Sequence, residues 1–151
     1  MDAVRECEAA AVRLLASREH SRHELLQKLR QRCECDSESL AQILDKLQEM
    51  GYLDDARYAA AFIRSSVARG RGEQRITYEL REHGVSDTIA AQALADAEVD
   101  WFALAKDQRI KKFGREIPAD YKERARQSRF LAGRGFYTDS IKAAFQNDPD
   151  E

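Results

Sequence analysis

The chain has 151 residues, of which 43% are apolar and 34% charged, with only seven glycines, two prolines and a formal net charge of −2. Such a composition is typical of a soluble globular protein rich in surface helix, and it disfavours an all-β fold with many tight turns. No apolar segment approaches the length of a membrane span, and the first ten residues carry no signal peptide. With an odd number of cysteines, three, the chain is predicted to be a reduced, cytoplasmic protein.

Helical periodicity begins at the N-terminus and predicts three helices in the first third of the chain. The first covers residues 4–16. The second opens at Ser21, with Glu24 three residues later in the spacing of a capping box. The third begins at Asp36 or Ser37 and carries a regular apolar stripe.

The middle third continues the pattern. Asp54 is predicted to cap a helix that runs to about Arg69, where the segment Gly-Arg-Gly interrupts it. The next helix runs from Glu73 to His83, and Ser86 caps the one after it.

Three more helices are predicted in the last third, which brings the total to about nine, with no convincing strand. One follows Asp100, a long one has Pro118 in its first turn, and Thr138 caps the last. Trp101 and Tyr121 lie on apolar stripes and are predicted to be core residues.

A recurring glycine pattern marks helix ends. A leucine is followed four residues later by glycine and then by an apolar residue, at Gly51, Gly84 and Gly135. This is the spacing of the Schellman motif, in which the glycine adopts a left-handed conformation and the next residue folds back on the leucine. The pattern favours helix stops over a phosphate-binding loop.

The same landmarks reveal an internal repeat. Gly84 and Gly135 lie 51 residues apart, and each is followed by a cap and a helix centred on isoleucine. The predicted fold is all-α, with three tandem three-helix repeats at residues 1–53, 54–98 and 99–151 forming an extended, curved helical array. The last repeat ends in a short acidic tail.

Neither a metal site nor an active site is predicted from the sequence. His20, His23, Cys33 and Cys35 are possible zinc ligands, but their spacing is not that of zinc fingers, and we predict no metal and no cofactor. No nucleophile–base pattern and no phosphate-binding loop accompanies the histidines or the glycines, so no catalytic residue is predicted.

The feature of the sequence that indicates a function is a concentration of basic residues. Residues 102–136 contain ten bases and four acids, a net charge of +6, whereas residues 34–55 have a net charge of −6. Basic side chains on successive helices can contact phosphates or an acidic protein surface. The candidates for partner or DNA contact are Arg64, Arg69, Arg71, Arg75, Lys106, Arg109, Lys111, Lys112, Arg115, Lys122, Arg126, Arg129 and Arg134. The alternative is a solvated helical face, because acids such as Glu116 and Glu123 are interspersed among these bases.

Four segments resemble the RecX family of recombination regulators, and the match covers nearly the whole chain. They are "SRHELLQKL" at 21–29, "GYLDDARYAAAFI" at 51–63, "GEQRITYELREHGV" at 72–85 and "RFLAGRGFYTDSI" at 129–141. Their order and spacing are more specific than any one of them. The first repeat departs from the pattern at Cys33, where the others have glycine.

The resemblance implies three tandem three-helix repeats and a non-enzymatic function. It implies binding to the RecA recombinase, with restraint of filament growth, strand exchange and coprotease action, and hence effects on DNA repair and the SOS response. DNA phosphates are a further possible partner, no membrane is expected, and the protein is predicted to be a monomer. The alternative is a DNA-binding protein that acts through its basic C-terminal repeat independently of RecA.

Overall fold

The computed structural model describes residues 2–147, and all regular secondary structure within that range is α-helical. The predicted acidic tail lies outside the described residues. The helices are α1 (Ala3–Ser17), α2 (Arg22–Arg32), α3 (Ser37–Glu49), α4 (Asp55–Ala68), α5 (Glu73–Glu82), α6 (Asp87–Ala97), α7 (Trp101–Phe113), α8 (Tyr121–Gly133) and α9 (Thr138–Ala143). The prediction of about nine helices is therefore confirmed for the described part of the chain.

Side chains cap α2, α3, α4, α6 and α7, and four of these caps, all but that at Asp100, follow the predictions. In each case a side-chain oxygen accepts a hydrogen bond from a main-chain N–H of the first turn, which would otherwise have no partner. The capping residues are Ser21, Asp36, Asp54, Ser86 and Asp100.

Three details at helix starts differ from the predictions. Glu24 accepts hydrogen bonds of 3.1 and 2.9 Å from the guanidinium of Arg18, and this charge-assisted pair takes the place of the second half of a capping box. Pro118 precedes α8, which begins at Tyr121 with Asp120 as its cap. Thr138 is the first residue of α9, where no side chain caps the helix.

Tyr121 was predicted to be a core residue, and this is wrong. Its side chain is 82% exposed. Because α8 begins at Tyr121 itself, the apolar face that meets the core begins further along the helix, with Gln127 and Leu131 buried. Trp101 is partly buried against the core, as predicted.

The predicted glycine stops are confirmed at all three positions. Gly51, Gly84 and Gly135 have φ values of 82°, 78° and 93°. The residue after each glycine donates its main-chain N–H to the carbonyl of the predicted leucine, at 2.9, 3.0 and 3.3 Å. The glycine itself donates to the carbonyl three residues before it, which completes the Schellman motif.

A fourth stop of the same kind ends α4 at Gly70, whose φ is 76°. Gly70 donates to Val67 at 2.9 Å, and Arg71 donates to Ser66 at 3.1 Å. The sequence pattern missed this motif because serine replaces leucine and arginine replaces the apolar residue after the glycine.

The described chain forms two compact units. The first unit consists of residues 2–62 and 80–94. Helices α1, α2 and α3 pack on one another around a core that includes Leu25, Leu29 and Leu44, each completely buried. Within this unit, the Ser21 hydroxyl donates a 2.6 Å hydrogen bond to the carbonyl of His83.

The second unit consists of residues 63–79 and 95–147. Helices α7, α8 and α9 pack together around Ala105, Leu131, Phe136 and Phe145. Within residues 2–147, no helix is both long enough and apolar enough to span a membrane.

Candidate partner-binding surface

All thirteen predicted basic residues fall in the second unit, although they come from four different helices and the loops between them. The described residues of this unit contain fifteen Lys and Arg against ten Asp and Glu, a net charge of +5. Those of the first unit contain ten bases and fourteen acids, a net charge of −4. Positive charge is therefore concentrated in one compact unit, which attracts polyanions and acidic surfaces over a distance of about a Debye length, ~8 to 10 Å.

The thirteen residues differ in accessibility. Arg71, Arg75, Lys106 and Arg134 are half-buried, and Arg109 is completely buried. The exposed residues are Arg64, Arg69, Lys111, Lys112, Arg115, Lys122, Arg126 and Arg129.

Arg109 is part of the core and not of the surface. Its Nε donates to the carbonyl of Ala144 at 2.8 Å, and its remaining nitrogens donate to the carbonyls of Gly114, Arg115 and Glu116 and to the side chain of Gln127. Burial lowers the pKa of the guanidinium. Because every guanidinium nitrogen already donates a hydrogen bond inside the protein, Arg109 is not placed to contact a partner.

Three of the other bases are paired with carboxylates. Arg75 contacts Glu79 at 2.8 Å, and Lys111 contacts Asp107 at 3.2 Å. Arg126 makes two hydrogen bonds, of 2.9 and 2.8 Å, to Glu123. This pair and a further bond from Gln127 lower the pKa of Glu123 to about 2. The charges of these bases are partly compensated within the fold.

Two phenylalanines hold several cations in place. Phe113 and Phe130 meet edge to face, with ring centroids 5.3 Å apart. The guanidinium of Arg126 lies 4.9 Å from the Phe113 centroid, and Lys112 and Arg134 lie 5.8 and 5.2 Å from that of Phe130. Cation–π contacts restrict long side chains without neutralising their charge, so Lys112 and Arg134 stay available to an anionic partner, whereas Arg126 is also paired with Glu123.

Among the accessible members of the thirteen predicted residues, eight make no ion pair with a carboxylate within residues 2–147, and we call these eight the uncompensated basic surface. They lie near the end of α4 and just after it, at the end of α7 and just after it, and along α8 and just after it. The eight are Arg64, Arg69, Arg71, Lys112, Arg115, Lys122, Arg129 and Arg134. These cations can donate hydrogen bonds to phosphates or carboxylates, and contacts to phosphates carry no information about base sequence.

His20 and the two cysteines that were named above as possible zinc ligands make other contacts in the structure. The ring of His20 is completely buried, with one nitrogen 3.0 Å from the carbonyl of Arg18 and the other 2.9 Å from the Lys28 ammonium. Burial raises the pKa of the Cys7 thiol to about 12, and contacts with Cys33 and Cys35 add to the shift. Among the described residues, no group of three or more His, Cys, Asp or Glu is placed to hold a metal ion.

Two family models match the chain. The one described as RecX, second three-helix domain, matches residues 54–94, and the one described as RecX, third three-helix domain, matches residues 98–145. The repeat boundaries given above remain predictions. The chain thus has the all-helical architecture of tandem three-helix repeats.

Similar proteins agree with the family models. "Regulatory protein RecX" of Halorhodospira halophila is 48% identical over 143 residues, covering 95% of this chain and 86% of the relative. The protein of the same name from Escherichia coli K12 is 35% identical, with 93% and 90% covered. The crystal structure of RecX from Lactobacillus salivarius has the same fold, with a TM-score of 0.75 at 23% identity over 95% of this chain and 94% of that one. The chain belongs to the RecX family of regulatory proteins.

Proposed function

We propose that this protein is a non-enzymatic regulator of the RecA recombinase. It binds RecA filaments assembled on DNA and restrains their growth, and through this it limits strand exchange and coprotease action. Membership of a family whose relatives are named regulatory proteins supports the regulatory role. In this proposal the protein acts as a monomer in the cytoplasm, where RecA filaments form.

The proposed contacts with the RecA filament are supported by the uncompensated basic surface. A RecA filament on DNA combines protein carboxylates with a nucleic-acid backbone, and both are anionic. Isolated surface charges contribute little to folding, typically about 0 to 1 kcal/mol each. The concentration of these eight cations in a unit of net charge +5 is therefore better explained by an external partner. Their net effect is to speed the encounter with an anionic filament and to orient the protein on it.

The experiment reverses charge at Lys111, Lys112 and Arg115, which are exposed at the end of α7 or just beyond it. The triple variant with glutamate at these positions should retain the parent's melting curve, because its residues are exposed and Lys111 loses only one surface ion pair. Its association with RecA filaments on single-stranded DNA should slow by about tenfold, and the rate should depend less on salt. Association kinetics at two salt concentrations measure both effects.

A matched control has the same change in net charge in the first unit. Arg5, Arg13 and Arg30 are exposed there and are replaced by glutamate. The control should associate at nearly the parent's rate. Equal rates for the two triple variants would remove residues 111, 112 and 115 from the interface.

The second candidate function is DNA binding without RecA, which the net charge of +5 in the second unit favours. Salt separates the two, because binding to bare DNA falls steeply with salt concentration. Inhibition of RecA that persists at salt concentrations where bare-DNA binding is lost supports regulation through the filament. Loss of both together supports the DNA-binding alternative.

A further inference from the structure

The second unit brings together two copies of the tripeptide Gly-Arg-Gly, at residues 70–72 and 133–135. The main-chain N–H of Gly72 donates to the carbonyl of Arg134 at 2.8 Å, and that of Gln74 donates to the carbonyl of Gly135 at 2.9 Å. A Cβ atom added to Gly72 would lie 2.4 Å from the carbonyl carbon of Gly135, so the two backbones touch where a side chain would not fit. The docking of these two loops fixes Arg71 near Arg134.

Four arginines converge at this junction. Burial lowers the pKa of the Arg71 guanidinium, and the positive charges of Arg69, Arg75 and Arg134 lower it further. Glu79 has the opposite effect on Arg71, but its carboxylate also pairs with Arg75 at 2.8 Å. Three positive charges and one carboxylate thus act on Arg71, and that carboxylate is already engaged by Arg75, so the positive charge around Arg71 is only partly compensated.

The junction also contains hydrogen-bonding groups without partners. The Nε atom of Arg71 is buried and has no hydrogen-bond partner in the described part of the chain. The Ser66 hydroxyl is also buried and has no hydrogen-bond partner in that part of the chain. The main-chain carbonyl of Ser66 accepts a hydrogen bond from the N–H of Arg71 at 3.1 Å. Buried polar groups are satisfied in the great majority of cases, so an exception needs an explanation, and a partner that binds from outside is one. For Arg71 that partner must be an acceptor, because a guanidinium only donates.

We propose that Arg69, Arg71, Arg75 and Arg134 form a binding site for a phosphate group of a nucleic-acid backbone. Several guanidinium groups can bind one tetrahedral phosphate from different sides, whereas the two oxygens of a carboxylate are saturated by one or two of them. A cluster of four arginines thus fits phosphate better than the carboxylate of an acidic protein. The site deepens the proposed function, since a filament on DNA presents phosphates, but it is tested without RecA so that the two can fail separately.

The test is binding of a fluorescein-labelled oligo(dT) to the purified full-length protein across a range of salt concentrations. The double variant R71Q/R134Q should bind at least about tenfold more weakly than the parent. The slope of log K against log salt should become shallower by roughly 1.4, as expected for two lost contacts to a single strand. Because the substitutions relieve repulsion, the melting temperature should stay within about 3 °C of the parent or rise.

Two double variants serve as controls with the same loss of charge. R5Q/R13Q removes exposed bases from the first unit, and R124Q/K142Q removes exposed bases of the second unit that lie outside both the junction and the uncompensated basic surface. Each should weaken oligo(dT) binding by less than about threefold. The proposal is overturned if all three double variants lose affinity equally, because binding then follows net charge and not this site.

Three further measurements keep the site falsifiable. The variant R71K/R134K keeps the charge and removes the guanidinium forks, and it should bind oligo(dT) clearly more weakly than the parent; unchanged affinity would contradict a site built on guanidinium geometry. If R71Q/R134Q binds oligo(dT) normally but binds RecA filaments poorly, the cluster recognises protein carboxylates and the phosphate assignment is wrong. In NMR titrations with oligo(dT), the Nε–H resonance of Arg71 should shift in the parent, and a resonance that stays in place would also overturn the proposal.

Discussion

The Nε–H group of Arg109 donates a 2.8 Å hydrogen bond to the main-chain carbonyl of Ala144, 35 residues further along the chain. Arg109 is completely buried, and its guanidinium also lies 5.4 Å from the ring centroid of Phe145. One side chain in α7 thus satisfies the carbonyl at the end of α9 as well as several carbonyls in the loop after α7. In this unit a cation takes the place of an apolar residue at the centre of the core.

The first prediction concerns the stability that Arg109 provides. Arg109→Met should lower the free energy of unfolding by about 3 kcal/mol or more, because buried carbonyls that accept from the guanidinium lose their donor. Lys111→Met, an exposed position in the same helix, should change it by less than about 0.5 kcal/mol. Urea titrations of the two variants measure the difference. Similar midpoints would mean that Arg109 does not hold the third repeat together.

The second prediction concerns the pH dependence introduced by His20. Burial lowers the pKa of His20, and the charges of Arg18 and Lys28 lower it further. The native state therefore binds fewer protons at this site than the unfolded state, whose histidine has a pKa near 6.5. The stabilisation that follows is present above about pH 6.5 and is lost as the pH falls below it toward the folded-state pKa. Through this one group the free energy of unfolding can change by at most ~1.4 kcal/mol per pH unit.

Unfolding free energies at pH 7.5, 6.5 and 5.5 test this prediction. The parent should lose stability over this interval, and the variant His20→Gln should lose less, whatever its overall stability. Carboxylates contribute little to the difference, because the pKa of Glu24 is lowered and its stabilising effect is lost only at more acidic pH. Parallel pH profiles for parent and variant would refute a neutral, buried His20.

The third prediction concerns the reactivity of the cysteines. The pKa of Cys7 is raised to about 12, so at pH 8 only about one molecule in 10⁴ carries the reactive thiolate. Cys33 and Cys35 are half-buried and more accessible. Titration with a thiol-specific disulfide reagent should label two thiols rapidly and the third only after denaturation. Cys7→Ala should remove the slow phase, and Cys33→Ser should remove one fast equivalent; three equal rates would contradict the buried position of Cys7.

Local features could be predicted from the sequence, because their determinants lie within a few residues. Asp54 and Ser86 cap helices through N–H groups two or three residues away. Each of the three predicted glycine stops has a leucine four residues before the glycine and an apolar residue after it. The physical interaction is complete within one helical turn, so pattern and structure agree.

Features that depend on distant contacts could not be predicted in the same way. Nothing near Arg109 distinguishes it from Lys111 or Lys112, and its burial depends on a carbonyl 35 residues away. The two Gly-Arg-Gly segments are visible in the sequence, but their docking depends on how the helices around them pack. Tyr121 was misplaced because periodicity locates an apolar face well and the first residue of a helix poorly.

The last prediction separates the two effects that glycine has at helix ends. Gly51 has a φ of 82° and open space around a built Cβ, so Gly51→Ala should lower the free energy of unfolding by about 1 kcal/mol through backbone strain alone. Gly84 has a φ of 78°, and a Cβ built on it would also lie 2.3 Å from the Cβ of His23. Gly84→Ala should therefore lower the free energy of unfolding by about 2 to 3 kcal/mol, and Gly84→Val should lower it further. Gly133 is the last residue of α8, without a positive φ and with no atom within 4 Å of a built Cβ, so Gly133→Ala should be neutral or stabilise by up to about 1 kcal/mol. Urea titrations rank the four variants, and equal stability of Gly84→Ala and Gly133→Ala would show that the Schellman assignment at Gly84 is wrong.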